Sequence, residues 1–423
     1  MRLDKSKIVS LTEWVVMPVA ILLTVWYITT QVLRYTLLMQ EQKGLFLRTT
    51  DYLRQTFSDS WPVTTLLSDF LIQFYQNAVH AGLITALIVT AIYFCACFIF
   101  RFARIKGLAG LLAACVSWYL IAHAPTPHRG VVILVIAIAI SLISVLIPYK
   151  KPKEAGKNAW MTLSAVTAVM LFATTYIIAT DKEIKSNEKF AAVEYASRCH
   201  DWNLVLKIAT ISACKADMSY VPYAMLALSA SGQLGERFMD YPVTGPESLG
   251  ENGESSWSEY SLRSLIYEVT GCPNEAIHQT YQMAASLPHA TSFGVLRQMM
   301  RLQMENGDYK LARKYAEVLA RSPRNRKVAK AALEMADEME SSSEPSSAIE
   351  PREDAVISYN NPMYNMGVII SNCHNATGAA GDRMLVHLLL SGDRQGFRSA
   401  LEELYDTSKP EQLPKYYKLN YQK

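Results

Sequence analysis

The segment Ser186 to Lys189 (SNEK) matches the Ser-x-x-Lys pattern of enzymes in which a serine is acylated. The companion motifs of that class are absent, and a two-letter pattern arises by chance several times in a chain of 423 residues. A phosphate-binding glycine loop, a GxSxG elbow and an HExxH helix are also absent from the sequence. We therefore predict no catalytic residue and no cofactor, and an enzyme is the less favoured interpretation.

Four carboxylates, those of Glu41, Asp51, Asp59 and Asp69, precede the second apolar run. Membrane glycosyl transferases use acidic residues at such positions, so an envelope enzyme or transporter acting on a lipid-linked substrate is the alternative function. Such enzymes usually have more than five spans, and solvated loop carboxylates are common. A transporter would also need polar groups in mid-membrane, where these runs offer only Ser, Thr and similar residues.

Seven cysteines fall into two groups. Three lie in apolar runs, where cysteine behaves as a small apolar residue: Cys95, Cys97 and Cys115. The other four lie in the second half of the chain, where disulfides are permitted if that half is on the outer side of the membrane: Cys199, Cys214, Cys272 and Cys373. We expect Cys199 and Cys214 at opposite ends of one helix, roughly 15 Å apart, beyond disulfide reach. Other disulfide pairings stay open, but we favour cysteines that are mostly free, buried thiols. Cys373-His374 lacks a second ligand pair, so we predict no metal site.

Arg297, Arg301 and Glu305 recur every four residues before Gly307, which places them on one face of a helix. On the inner helix of a stacked hairpin, two arginines could hold a carboxylate or the chain end of a partner. The alternative is a solvated helix face with one ion pair between residues four apart. We take these three as candidate partner-binding residues.

The first half of the chain contains five apolar runs of about 18 to 23 residues. Each is long enough to cross a hydrocarbon core of about 30 Å as a helix. They predict five membrane spans near residues 13–33, 81–100, 107–124, 131–148 and 158–180. The first run is too long for a signal peptide and lacks a small-x-small cleavage site, so we expect it to remain as an anchor.

Basic residues in the short segments predict the orientation. The N-terminal segment and the second and fourth connections hold ten: Arg2, Lys5, Lys7, Arg101, Arg104, Lys106, Lys150, Lys151, Lys153 and Lys157. The first and third connections hold five, Arg34, Lys43, Arg48, Arg54 and Arg129. This bias predicts a cytoplasmic N-terminus. Five crossings of the inner membrane would then place residues 181–423 in the periplasm. For the first connection, 35–80, we expect contact either with the membrane surface or with the outer domain.

Five turns in the second half are each flanked by helical patterns. They are His200-Asp201, Gly232-Gln233, Gly271-Cys272, Gly307-Asp308 and Gly392-Asp393. The first four are 32, 39 and 36 residues apart, which is the period of helix-turn-helix repeats. The positions of Ala276, Pro288, Ala312 and Pro323 resemble the tetratricopeptide pattern. We predict an all-α protein in which five transmembrane helices precede degenerate tetratricopeptide-like hairpins, with an irregular helical domain as the alternative.

Charge and composition set the domain limits. Residues 1–180 carry 15 Lys and Arg against 7 Asp and Glu, whereas residues 181–423 carry 26 against 31. We predict a membrane domain at 1–180, a helical-repeat domain at 181–339, a flexible Ser/Glu/Pro-rich loop at 340–362 and further hairpins of the same array at 363–423. The acidic second half argues against a nucleic-acid partner.

Several segments resemble an uncharacterised family of multi-pass membrane proteins of the Bacteroides group. They include QEQKGLFLRTTDYL, LSASGQLGERFMDYP, ENGDYKLARKYAEVLARSP and LLLSGDRQGF. The resemblance implies a membrane region followed by a periplasmic helical-repeat region, and it supplies no functional residue. Together with the residues, it leads us to expect a membrane-anchored scaffold or assembly factor that contacts membrane lipid and a periplasmic protein partner.

Overall fold

A computed structural model describes residues 12–100, 108–122, 126–146, 157–250, 256–287, 289–342, 362–373 and 376–421. Within these ranges the chain is helical and contains no β-strand, so the predicted all-α class is confirmed. The chain divides into two compact units. Unit 1 comprises Met1–Ala191 and Ser322–Arg324, and unit 2 comprises Ala192–Arg321 and Asn325–Lys423. The predicted flexible loop falls largely on residues 343–361, which lie outside the described ranges.

Unit 1 contains the apolar helices and the helices that connect them. In chain order they are α1 (Met17–Gln31, after a π-helical turn at Thr12–Val16), α2 (Arg34–Lys43), α3 (Thr50–Thr56), α4 (Pro62–Ile72), α5 (Ala78–Ile99), α6 (Leu108–Ala122), α7 (Pro127–Leu146) and α8 (Lys157–Thr180). The next helix, α9 (Lys182–Arg198), contains the boundary between the units.

Helices α1, α5, α6 and α8 share one apolar core, which includes Ile21, Val89, Ala113 and Leu171. Helix α7 packs against α5 through a separate cluster that includes Ile92 and Val131. Large apolar side chains remain exposed on α7 and α8; Leu146 is 83% exposed and Phe172 is 75% exposed. Apolar faces of this size are costly in water, so the helices are compatible with a membrane.

Four helices of the described residues, not five, are long and apolar enough to cross a membrane: Trp14–Gln31, Ala78–Ile99, Pro127–Leu146 and Thr162–Thr180. The predicted span at 107–124 is wrong in this respect. Its helix, α6, has 15 described residues and spans about 22 Å over them, short of a hydrocarbon core of about 30 Å. The predicted run also included residues 107, 123 and 124, which lie outside the described ranges.

Two glycines let the apolar helices approach closely. A Cβ on Gly82 of α5 would lie 2.6 Å from Thr30 Cγ2 of α1, and a Cβ on Gly110 of α6 would lie 2.8 Å from Thr167 Cγ2 of α8. The Thr30 and Thr167 hydroxyls donate to carbonyls of their own helices. Small residues with internally satisfied hydroxyls are the usual means by which helices pack tightly in lipid.

The first connection folds onto the apolar helices of its own unit. Leu37 of α2 and Ile72 of α4 share a buried cluster with Tyr75 and with Ala81 of α5. Glu188 of α9 accepts hydrogen bonds from the backbone N–H groups of Tyr35 (2.6 Å) and Thr36 (3.0 Å). It thereby caps α2, whose own N-cap makes no side-chain hydrogen bond.

Unit 2 consists of short helices joined mostly by tight turns. They are α10 (Trp202–Ile208), α11 (Ile211–Ala216), α12 (Val221–Ala230), α13 (Leu234–Arg237), α14 (Trp257–Thr270), α15 (Pro273–Ala285), α16 (Phe293–Glu305), α17 (Tyr309–Ala320), α18 (Arg326–Ser342), α19 (Pro362–Asn372), α20 (Gly378–Ser391), α21 (Arg394–Leu404) and α22 (Lys415–Tyr421). Single 3₁₀ turns lie at Met218–Tyr220, Phe238–Asp240, Pro246–Leu249 and Pro410–Gln412.

The five turns named from the sequence share one backbone geometry. Each has a residue with φ between 56° and 84°, namely His200, Gly232, Gly271, Gly307 and Gly392. The N–H of the following residue bonds to the carbonyl five residues back, at 2.8–3.0 Å in all five turns. This is the Schellman ending of a helix. In three turns that following residue is an aspartate, which caps the next helix: Asp201, Asp308 and Asp393.

The prediction that Cys199 and Cys214 lie at opposite ends of one helix is wrong. Cys199 immediately follows α9, and Cys214 lies in α11, with α10 between them. Thr210 instead leaves helical geometry and accepts a hydrogen bond from Ala213 N at 3.2 Å, which starts a new helix.

The core of unit 2 encloses a fully buried guanidinium, that of Arg383 on α20. It donates to Ser229 Oγ on α12 at 3.2 Å and to the Leu249 carbonyl at 2.5 Å. Because a buried charge is tolerated only when it is hydrogen-bonded, Arg383 ties three segments of this unit together.

We expect Arg383→Ala to lower the free energy of unfolding of unit 2 by about 3 kcal/mol or more, because it leaves a cavity and two acceptors without their donor. Thermal unfolding of the purified full chain in detergent measures this. The matched control is Arg398→Ala, which truncates an exposed arginine on α21. Equal melting temperatures for the two variants would contradict the assignment.

Candidate functional site: a cleft at the hairpin turns

A cleft of about 810 Å³ opens in unit 2 where several turns meet. Four turns contribute: His200 and Trp202 from the first, Gly232 from the second, Gly271 and Pro273 from the third, and Glu305 beside the fourth. The start of α20 and Tyr405 complete the wall; the remaining lining residues are Ser229, Ala230, Glu268, Val269, Thr377, Gly378, Ala379 and Asp382. The turns that end the helices therefore also form much of the cleft wall.

Arg301, a candidate partner-binding residue, is engaged by a carboxylate within unit 2. Its Nη2 donates to Glu268 Oε2 at 2.7 Å, and its Nε lies 2.7 Å from Glu268 Oε1. The two residues belong to neighbouring hairpins, on α16 and α14. The arginine side chain is 30% exposed and the glutamate only 5%. This two-point contact fixes both side chains and leaves Arg301 with little capacity to hold a ligand carboxylate.

The other two candidates are more open. Arg297 is exposed on α16, one turn before Arg301. Glu305 is 45% exposed, lines the cleft, and lies 4.0 Å from Arg301 Nε. The structure thus places Arg297, Arg301 and Glu305 on one helix, as their spacing required, and brings only Glu305 into the wall of the cleft.

The environment separates the pKa values of the two glutamates. Burial acts to raise the pKa of Glu268, but the His200 ring and the Arg301 guanidinium outweigh it, so the net shift is downward. His200 Nε2 lies 3.3 Å from Glu268 Oε1. Burial, together with the charge of Glu268, raises the pKa of Glu305. Nearby groups therefore fully offset the burial of Glu268 but only partly offset that of Glu305.

A third carboxylate, Asp382, also lines the cleft. Asp382 accepts hydrogen bonds from the hydroxyls of Tyr405 (2.6 Å) and Tyr417 (2.9 Å). Burial raises its pKa, and the two tyrosine hydrogen bonds oppose that shift. The rings of His200 and Trp202 stack with centroids 5.2 Å apart. The cleft thus combines carboxylates with aromatic faces, a combination that suits cationic groups.

A family model matches the chain in two segments, residues 9–184 and 127–418. It describes a family of unknown function, DUF6057. The chain belongs to this family. No curated protein and no solved structure matches the chain. The resemblance to an uncharacterised family is therefore confirmed.

Several groups that the sequence raised as candidates for chemistry have structural partners in this DUF6057 protein. Within the SNEK segment, Glu188 caps α2. Asp69 accepts a hydrogen bond from the Tyr52 hydroxyl at 2.6 Å, and Glu41 is buried. Asp51 lies in the first turn of α3, where its charge favours the helix dipole.

Among the described residues of the DUF6057 chain, no group of three or more His, Cys, Asp and Glu side chains is placed to hold a metal ion. His374 of the Cys373-His374 pair lies outside the described ranges. None of the seven cysteines, all of which lie in described ranges, is in a disulfide.

Sequence reasoning missed Glu268, His200 and Asp382 as members of the site. Glu268 and Arg301 are 33 residues apart, and no local pattern pairs them. One available signal was that both lie in the last two turns of a helix that ends at a turn of the series. Stacked hairpins bring such residues together.

We expect Glu268→Gln to reduce the free energy of unfolding at pH 7 by about 2 kcal/mol, because hydrogen bonds between charged groups are lost. The folded-state pKa of Glu268 is depressed, so its contribution is present above the ordinary glutamate pKa and is lost as pH falls through the folded value. The variant should therefore lose less stability than the native chain on acidification below about pH 4.5.

Unfolding of the full chain in detergent across this pH range provides the measurement. The control is Glu338→Gln, which changes an exposed glutamate on α18. If the free energy of unfolding falls with pH in the same way for Glu268→Gln and for the native chain, the depressed pKa of Glu268 is not a source of stability.

Proposed function

We propose that this protein is a membrane-anchored scaffold or assembly factor and that unit 2 binds a protein partner. The observation that carries the proposal is the cleft at the hairpin turns, an open 810 Å³ groove walled by carboxylates and aromatic rings. Its lining comes from turns separated widely in sequence, which is how stacked hairpins present a binding surface.

The hairpins themselves support a tetratricopeptide-like interpretation. Their turns have one geometry, and the spacings of 32, 39 and 36 residues lie close to the period of that repeat. Ala276 and Ala312, the small residues of the second helices, are fully buried, as close helix approach requires. We propose that the array is a degenerate form of that repeat.

The charges of the cleft specify the kind of contact. Arg301 is neutralised by Glu268, whereas Glu305 lines the cleft without an equally close cation. We propose that Glu305 receives a basic side chain of the partner, and that the exposed Arg297 receives an acidic one on the same helix face. Electrostatic complementarity of this kind fixes register and raises the rate of association.

Charge reversal tests this directly. We expect Glu305→Lys and Arg297→Glu each to lower the crosslinked yield of a protein partner by about tenfold, equivalent to about 1.4 kcal/mol. The yield is measured by crosslinking in intact cells, purification through a C-terminal tag and mass spectrometry. Arg301→Glu is a poorer probe because it also breaks the contact with Glu268.

The matched controls are Glu338→Lys and Lys330→Glu, which reverse exposed charges on α18. Unchanged recovery in Glu305→Lys and Arg297→Glu, at unchanged protein level, would rule out this helix face. Recovery of a lipid-linked glycan in place of a protein would favour the alternative class, an envelope enzyme or transporter.

The side of the membrane is a further part of the proposal. The four long apolar helices alone would return the chain to the side on which it began. The ten basic residues of the N-terminal segment and of the second and fourth connections favour one side for all three segments, and this arrangement requires α6 to cross as well. We propose that α6 is this additional crossing, with a cytoplasmic N-terminus, an inner-membrane location and a periplasmic unit 2.

Cys199, an exposed thiol of unit 2, reports this placement. We expect a membrane-impermeant maleimide to label the full chain in intact cells, because the periplasm is open to small reagents, and we expect Cys199→Ser to remove most of that label. Labelling that appears only after cell lysis would place unit 2 in the cytoplasm.

A further inference from the structure

Two cysteines meet at the rim of the cleft. Cys272 follows Gly271 in the third turn, where its N–H bonds to the Tyr267 carbonyl at 2.8 Å, and its side chain is buried. Cys373 follows α19 and is half-buried. The two residues are distant in sequence, and their thiols are hydrogen-bonded to each other.

The backbone holds this meeting in place. Thr377 donates through its N–H to the Thr270 carbonyl at 3.1 Å and through its hydroxyl to the Val269 carbonyl at 2.7 Å. The Ala376 N–H bonds to the Cys373 carbonyl at 3.0 Å, which keeps Cys373 close to Thr377. Two hydrogen bonds thus fix Thr377 against the third hairpin turn, independently of the thiols.

We propose that Cys272 and Cys373 form a reversible disulfide that fastens the rim of the cleft. Gly271 and Pro273 flank Cys272 in the cleft wall, and Thr377 and Gly378 follow Cys373 in the wall beside it. The bond would fix the separation of these two wall segments. A pair already in contact needs little backbone movement to reach disulfide geometry, which is a condition that most cysteine pairs fail.

The oxidant is a disulfide, such as glutathione disulfide or the disulfide of a thiol oxidase. The thiolate of the more accessible Cys373 attacks one sulfur of the oxidant, whose S–S bond breaks and releases one thiol. Cys272 then attacks the mixed disulfide, and the second oxidant thiol leaves. Both cysteines lose a proton, and two electrons pass to the oxidant. Burial raises the pKa of Cys272 to about 12, which makes it the resolving partner.

The test uses the purified full chain in detergent, equilibrated in glutathione buffers of increasing potential, quenched with acid and alkylated. Peptide mass spectrometry then counts the thiols. We expect the Cys272 and Cys373 peptides to lose alkylation together and to appear as one linked species. The ratio of disulfide to dithiol should rise about tenfold per 30 mV, as a two-electron couple requires. Cys199 should stay alkylated or carry glutathione separately.

Cys373→Ser and Cys199→Ser complete the experiment. We expect Cys373→Ser to leave Cys272 alkylatable at every potential, whereas Cys199→Ser should oxidise like the native chain. The linked peptide from the native chain tests the disulfide by itself, so the test remains valid even if a variant fails to fold. The proposal is overturned if Cys272 and Cys373 oxidise independently, or if Cys373 links to another cysteine. No partner is needed, so this outcome is separate from that of the partner-binding proposal.

Discussion

The architecture of unit 2 depends on one repeated constraint, the left-handed residue that ends a helix and turns the chain back. Five times a residue adopts positive φ, and five times the next N–H reaches the carbonyl five residues before it. Glycine adopts this conformation without steric cost at four of the turns. His200 occupies it at the fifth, where its ring is held between Trp202 and Glu268. The strain of a non-glycine residue thus occurs where the side chain contributes to the cleft.

The cleft is a consequence of these turns. A helix that ends abruptly leaves the residues of its last turn at the edge of the hairpin, and stacking brings successive edges together. Glu268 and Glu305 stand just before their turns, and the Arg301 that separates their behaviour lies between them in space. Burial raises the pKa of both carboxylates, and only at Glu268 do the close contacts of Arg301 and His200 outweigh it. One wall therefore contains a neutralised pair beside an acid whose burial is only partly offset.

The sequence predicted local features well and long-range ones poorly. A turn residue between two helical patterns, glycine in four cases and His200 in the fifth, is a local signal, and all five turns were found from it. Helix type was equally local, and the all-α class followed. The span count differed because hydropathy measures composition, whereas crossing a membrane requires helix length, and the described part of α6 is short. The partners of Arg301 and Cys272 could not be foreseen, because they lie 33 and 101 positions away and depend on how hairpins stack.

We propose that the cleft, and not another face of unit 2, receives a protein partner. The most direct measurement replaces Trp202, in the cleft wall, with a photo-reactive phenylalanine in the full chain and irradiates intact cells. The matched position is Met335, which is 54% exposed on α18. We expect a discrete protein adduct from position 202 and none from position 335. No adduct at 202, or the same adducts from both positions, would contradict it.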